Sequence, residues 1–146
     1  MLIFALGCFL RIHPWLGFKG IGFDEALKRA ETYLRAGADM LFIEAPQSEH
    51  EMRKICQTFE GVPLLANMVE AGKTPYLSIR ELQEMGFKLA IFPISVLLVA
   101  SYALNRALAE LREHGKLSGA TPIVDFKEFN QLMGLDEFLN QADKFS

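Results

Sequence analysis

Gly37-Ala-Asp-Met-Leu-Phe-Ile-Glu44, Gly61-Val-Pro-Leu-Leu-Ala-Asn67 and Gly86-Phe-Lys-Leu-Ala-Ile-Phe-Pro93 repeat one plan at intervals of about two dozen residues. Each is a glycine, a short apolar run and a residue that ends it. The runs are apolar almost throughout instead of alternating, the pattern of strands covered on both faces in a parallel sheet. The stretches between them have helical spacing. Asp24–Ala36 puts Leu27, Ala30 and Leu34 on one face and stops at Gly37, which suits the left-handed position after a helix. Ser48 and Glu51 form a capping box before a stripe of Met52, Ile55, Cys56 and Phe59. Ser78 and Glu81 form a second box, with Leu77 and Leu82 placed to staple across the cap, and that helix ends at Gly86.

Outward from this rhythm, the apolar Met1–Leu10 reads as a buried strand, which makes four βα units of an α/β protein. Pro93 leads into a long helix, Ser95–Glu113, on which Leu97, Leu98, Tyr102, Ala103, Leu108 and Leu111 supply apolar surface. Its first half is apolar nearly all round and calls for a second surface, such as another subunit. After Gly115–Pro122, Asp125 and Glu128 cap a short helix with a Val124–Phe129 staple, and Gly134 separates it from a last helix, Asp136–Phe145.

The chain has 146 residues, 51% of them hydrophobic and 23% charged, enough for one domain with a sizeable core and no need of disulfides. A net charge of −3 with scattered Lys and Arg gives no basic face, which speaks against nucleic acid and anionic membrane as partners. Cys8 and Cys56 belong to no CxxC pair, consistent with reduced thiols and a cytoplasmic location, and His13, His50 and His114 lack the spacing of zinc ligands. Met1–Leu10 lacks the basic start and cleavage site of a signal peptide. Leu89–Leu104 is shorter than the ~20 residues of a membrane span and is interrupted by Pro93, Ser95 and Ser101. His13 and Trp15 flank Pro14 in an irregular segment that suggests nothing specific.

Parallel α/β proteins bind ligands at the carboxyl ends of their strands, so Glu44, Asn67 and the Pro93–Ser95 corner are the residues of interest. Glu44 reads equally well as a functional carboxylate and as one favoured by the start of the following helix. Asn67 reads slightly better as a turn residue. The loop Met68–Pro75, with Glu70, Gly72, Lys73 and Thr74, is long and polar for so compact a plan, as active-site loops are, though a solvated turn would look the same. Cys56, on an apolar helix face, reads as a core residue.

At these residues the chain resembles the isocitrate lyase and phosphoenolpyruvate mutase superfamily. The branch in question holds 2-methylisocitrate lyase, dimethylmalate lyase, oxaloacetate hydrolase and carboxyphosphonoenolpyruvate mutase. The strings that carry the likeness are Gly22–Glu31, Ala36-Gly-Ala-Asp-Met-Leu-Phe-Ile-Glu-Ala-Pro46, Pro63-Leu-Leu-Ala-Asn-Met-Val-Glu-Ala-Gly-Lys-Thr-Pro75, Leu82–Lys88 running on to Phe92-Pro93, and Phe126–Leu139.

The resemblance implies a (β/α)8 barrel, which typically needs about 250 residues and at least roughly 200. The expectation is therefore the carboxyl-terminal half of a barrel as a single partial domain: a divergent segment 1–20, βα units over 21–114 and a helical segment 115–146. It implies a carbon–carbon lyase acting on a small 2-hydroxy or 2-keto di- or tricarboxylate through a magnesium-bound pyruvate enolate. Phosphonate-forming mutase is the rival, and an inactive fragment or oligomerising half-barrel is a third reading. Glu44 would act beside the metal, meeting it through a water, and Asn67, Glu70, Pro93 and Ser95 would contact substrate. The metal aspartates and catalytic cysteine of the family match nothing here, Cys8 and Cys56 included, so the 146 residues alone are expected to be inactive. Val69 stands where lyases often carry a hydroxyl. The implied partners are a small carboxylic acid and a second copy of the chain, with the helix 95–113 exchanged between subunits.

Overall fold

The structure, a computed structural model, describes residues 9–12, 22–142 and 144. It alternates strand and helix: β1 Phe9–Ile12, α1 Phe23–Arg35, β2 Met40–Ile43, α2 Glu49–Thr58, β3 Leu65–Asn67, α3 Ile79–Met85, β4 Leu89–Ile91 and α4 Ser95–His114, then α5 Phe126–Leu132 and α6 Leu135–Ala142. Of the expected strand Met1–Leu10, Phe9 and Leu10 belong to β1, which runs on to Ile12; residues 1–8 lie outside the described residues, as do His13 and Trp15.

β1 pairs with β2 in parallel, from Phe9 opposite Met40 to Ile12 opposite Ile43. β3 pairs with β4, from Leu65 opposite Leu89 to Asn67 opposite Ile91. A parallel bridge between Leu41 and Leu64 joins the two ladders, with the Leu41 amide donating to the Pro63 carbonyl at 3.0 Å. All four strands therefore end on one side. The repeated apolar runs form these strands, and Leu41, Met52, Ile55, Leu64, Met68 and Leu82 are the fully buried side chains between sheet and helices. Cys56 belongs to the same core, and its burial pushes the thiol up to about 11 against a smaller opposing pull from Arg53. It is thus a protonated core residue at neutral pH.

The caps set the helix starts. At α3 both halves of the Ser78–Glu81 box form, and Leu77 and Leu82 on either side of it are buried. At α2 the expected box is only half present. Ser48 Oγ accepts from the Glu51 amide at 3.2 Å, but the Glu51 carboxylate reaches past the cap to the Gln47 amide at 2.6 Å, satisfying a loop donor instead. Gly86 ends α3 at φ 119°, and a Cβ there would stand 3.4 Å from Cys56 Cβ, so both backbone and packing ask for glycine.

The chain groups into two compact units, Met1–Leu97 and Leu98–Ser146. In the second unit Asp125 Oδ1 accepts from the Glu128 amide at 2.7 Å to start α5, while Val124 and Phe129 stay largely exposed. No helix among the described residues is long and apolar enough to cross a membrane.

Glu110 ties the connector after α4 back onto that helix. Its carboxylate accepts from Thr121 Oγ1 at 2.6 Å, from the Ser118 amide at 2.9 Å and from Ser118 Oγ at 2.8 Å. The bond from Thr121, then those from the Ser118 amide and hydroxyl, pull the group from 4.5 to about 2. A depressed carboxylate favours the folded arrangement above its unfolded pKa and loses that contribution as pH falls through the folded value. The protection of the Ser118 amide from hydrogen exchange, relative to its intrinsic rate, is therefore expected to fall as the pH is lowered from 4.5 towards 2. Glu110→Gln should show the low protection already at neutral pH.

Candidate active site

Because the strands are parallel, the residues that follow them gather at one end. Glu44 follows β2, Asn67 closes β3, and Ser95 opens α4 just after β4. Asn67 Nδ2 donates to Glu44 Oε1 at 3.4 Å, joining the first two in a partly buried pair. The other end of that amide, Oδ1, is buried and makes no hydrogen bond.

Glu70 is brought in by a tight turn in which the Gly72 amide donates to the Val69 carbonyl at 3.0 Å. A Cβ at residue 72 would come within 2.9 Å of that carbonyl oxygen, so the turn closes only on glycine. Ala71 carries the left-handed conformation at φ 56°, and Ala45, which follows Glu44, does the same at φ 55°. An L residue with a Cβ is disfavoured there by roughly 1–2 kcal/mol. Each of the two site carboxylates is thus followed by a strained alanine, a pattern found where a side chain must be aimed.

Tyr76 Oη donates to Glu70 Oε1 at 3.0 Å, and the Tyr76 ring stands edge-on to Phe92 with centroids 6.0 Å apart. The nearby Ser95 hydroxyl, the backbone amide of Glu70 and the Tyr76 hydroxyl hold Glu70 below the usual carboxylate range, with burial opposing them. Even so, Glu70 Oε2 and Ser95 Oγ stop short of a well-formed hydrogen bond, and both are buried without one. Pro93 is exposed at the corner between β4 and α4. It is joined to the other four residues only through the backbone of that corner.

Asn67 Oδ1, Glu70 Oε2 and Ser95 Oγ are the buried side-chain polar atoms left without a hydrogen bond among the described residues. Leaving such a group unpaired costs about 1–3 kcal/mol, and a ligand that pairs it recovers that energy. Two of the three atoms are acceptors, and the third both donates and accepts. Ser95→Ala is expected to let the Glu70 carboxyl titrate at higher pH, because the Ser95 hydroxyl is the first of the groups that hold it down, read by NMR titration.

The space beside these atoms is small. A hollow of about 10 Å³ lies against Asn67 and Thr74, whereas one of about 430 Å³, lined by Gln57, Gly61, Met85 and Lys88 among others, opens at the amino ends of β3 and β4. None of the three orphaned atoms belongs to a residue lining the larger hollow. Among the described residues no group of three His, Cys, Asp or Glu side chains could hold a metal ion.

The sequence reasoning missed Tyr76, which lies one residue beyond the loop it singled out, and the two alanines. Tyr76 carried no signal because its partner is six residues away in an irregular segment. Alanine at positive φ leaves no mark in a sequence at all.

A sequence profile described as phosphoenolpyruvate phosphomutase matches residues 10–112. Over 117 residues the chain is 43% identical to 2,3-dimethylmalate lyase of Eubacterium barkeri, covering 80% of this chain and 40% of the relative. Over 94 residues it is 47% identical to 2-methylisocitrate lyase of Bacillus subtilis (strain 168), covering 64% of this chain and 31% of the relative. The solved structure of 2,3-dimethylmalate lyase in its trigonal crystal form, described as a PEP mutase/isocitrate lyase superfamily member, superposes with a TM-score of 0.76 at 34% identity, over 86% of this chain and 41% of that one. The chain spans about two fifths or less of the length of these curated relatives.

Proposed function

The chain belongs to the phosphoenolpyruvate phosphomutase family of the PEP mutase/isocitrate lyase superfamily, and from that premise we propose that its strand-end cluster is the substrate-facing part of a carbon–carbon lyase site. The substrate class is a small 2-hydroxy or 2-keto di- or tricarboxylate. The observation that carries this reading is the trio of orphaned atoms, Asn67 Oδ1, Glu70 Oε2 and Ser95 Oγ, set beside the Glu44–Asn67 pair.

A 2-hydroxy acid brings both kinds of partner. Its hydroxyl is a donor for Glu70 Oε2 or Asn67 Oδ1, and its carboxylates accept from the Ser95 hydroxyl and the remaining N–H of Asn67. A fully ionised phosphonate brings acceptors only, and two of the three orphans are themselves acceptors. This favours lyase over mutase. Glu44, fixed by Asn67, presents a carboxylate to the same face, where it can hold or move a proton of the reacting hydroxyl. The resemblance also brings magnesium, whose chemistry is the stabilisation of an enolate oxygen. Mg²⁺ needs near-octahedral oxygen ligands, and the described residues hold no group of three His, Cys, Asp or Glu side chains that could supply them. These residues do not make the metal site, and no step here is routed through it.

A barrel made by placing the amino-terminal half of 2,3-dimethylmalate lyase ahead of Gly22 tests the reading. The expected result is carbon–carbon cleavage of a 2-hydroxy dicarboxylate such as 2,3-dimethylmalate. Interconversion of phosphoenolpyruvate and phosphonopyruvate, with no cleavage, would replace lyase by mutase. For the 146 residues alone we propose a second reading, a half-barrel without turnover, supported by the absence of a metal-holding group among the described residues. Metal-dependent pyruvate release above a Glu44→Ala control would overturn it.

A further inference from the structure

We propose that Tyr76 is a positioning residue of this site, its hydroxyl 3.0 Å from Glu70 Oε1 and its ring edge-on to Phe92 fixing the Glu70 carboxylate so that Oε2 faces the ligand beside Ser95. The inference rests on the lyase reading above and names what keeps that site in order. A glutamate on an irregular loop otherwise loses considerable rotamer freedom on binding. Here much of that ordering precedes the ligand.

Three observations converge. The loop that carries Glu70 is anchored at both ends, with Met68 and Leu77 buried and the Leu77 amide donating to Met68 Sδ at 3.4 Å. Tyr76 is the residue next to that anchor, and its half-exposed ring rests edge-on against Phe92. Phe92 belongs to the corner that leads from β4 to Ser95. The Tyr76 ring therefore links the loop of Glu70 to the segment of Ser95, and its hydroxyl takes one carboxylate oxygen while leaving the other unpaired. A tyrosine that served only to close the loop would need the ring contact alone. With Oε1 bonded to Tyr76, Oε2 is the oxygen left without a hydrogen bond.

The test uses the whole chain labelled with ¹³C at glutamate, comparing wild type with Tyr76→Phe, which keeps the ring against Phe92 and removes only the hydroxyl. The expected result is that the Glu70 carboxyl titrates at higher pH in Tyr76→Phe, towards 4.5, while the melting temperature moves by no more than about a degree. Malate, a 2-hydroxy dicarboxylate, is then added as the probe. It should shift the Glu70 resonance in wild type and bind several-fold more weakly to Tyr76→Phe. A Glu70 titration identical in the two proteins overturns the role of Tyr76 and leaves the site reading standing. A shifted titration with no malate response in either protein overturns the site reading, and the positioning role with it.

Discussion

At micromolar concentration the chain is expected to run in light scattering as a dimer or larger assembly. None of the 20 residues of α4 is buried, although its first half is almost wholly apolar. Val96, Leu97, Val99, Tyr102, Leu104 and Leu108 are all more than 60% exposed. A continuous apolar helix of this kind is the mark of an association surface. Within the first unit β4 is open as well, since among the described residues it pairs only with β3 and leaves Leu89 and Ile91 exposed. Losing a buried leucine costs on the order of 1.5–3 kcal/mol, and a symmetric pairing counts each change twice. Leu104→Glu combined with Leu108→Glu should therefore weaken association on the order of a thousandfold or more. A compact wild-type monomer with cooperative unfolding would contradict this expectation.

The second large effect is at Glu44. In the hybrid barrel, Glu44→Gln is expected to lower turnover on the order of ten- to hundredfold with the melting temperature little changed, since a hydrogen bond to a charged group contributes about 1.5–3 kcal/mol. The alternative, that Glu44 serves the start of α2, is weakened by what that helix already has. Ser48 caps it, and Glu49 and Glu51 fill its first turn with negative charge. One more carboxylate further out adds little. A fall in melting temperature with turnover intact would assign Glu44 to the helix.

The parallel core was legible because strand and helix leave different periods in a sequence. The runs ending at Glu44, Asn67 and Pro93 became β2, β3 and β4 with their order intact, and the Leu27, Met52 and Leu82 stripes became the buried faces. The site was legible in part for the same reason, because a parallel sheet sends its strand ends to one side. What escaped depends on side-chain reach. Nothing in the order of residues shows that Glu51 reaches Gln47 and not Ser48, that the Asn67 amide turns its nitrogen to Glu44 and leaves its oxygen bare, or that Tyr76 finds Glu70.

The account's central claim is that the orphaned atoms at the strand ends are kept for a ligand at the expense of stability. Asn67→Ala in the hybrid barrel, with melting temperature and turnover measured on one preparation, tests it most directly. Removing a buried unpaired oxygen should offset the lost bond to Glu44 and leave the melting temperature little changed, while loss of the contact to substrate and of the hold on Glu44 should cut turnover on the order of ten- to hundredfold. A lowered melting temperature with undiminished turnover would contradict the claim and make Asn67 a turn residue.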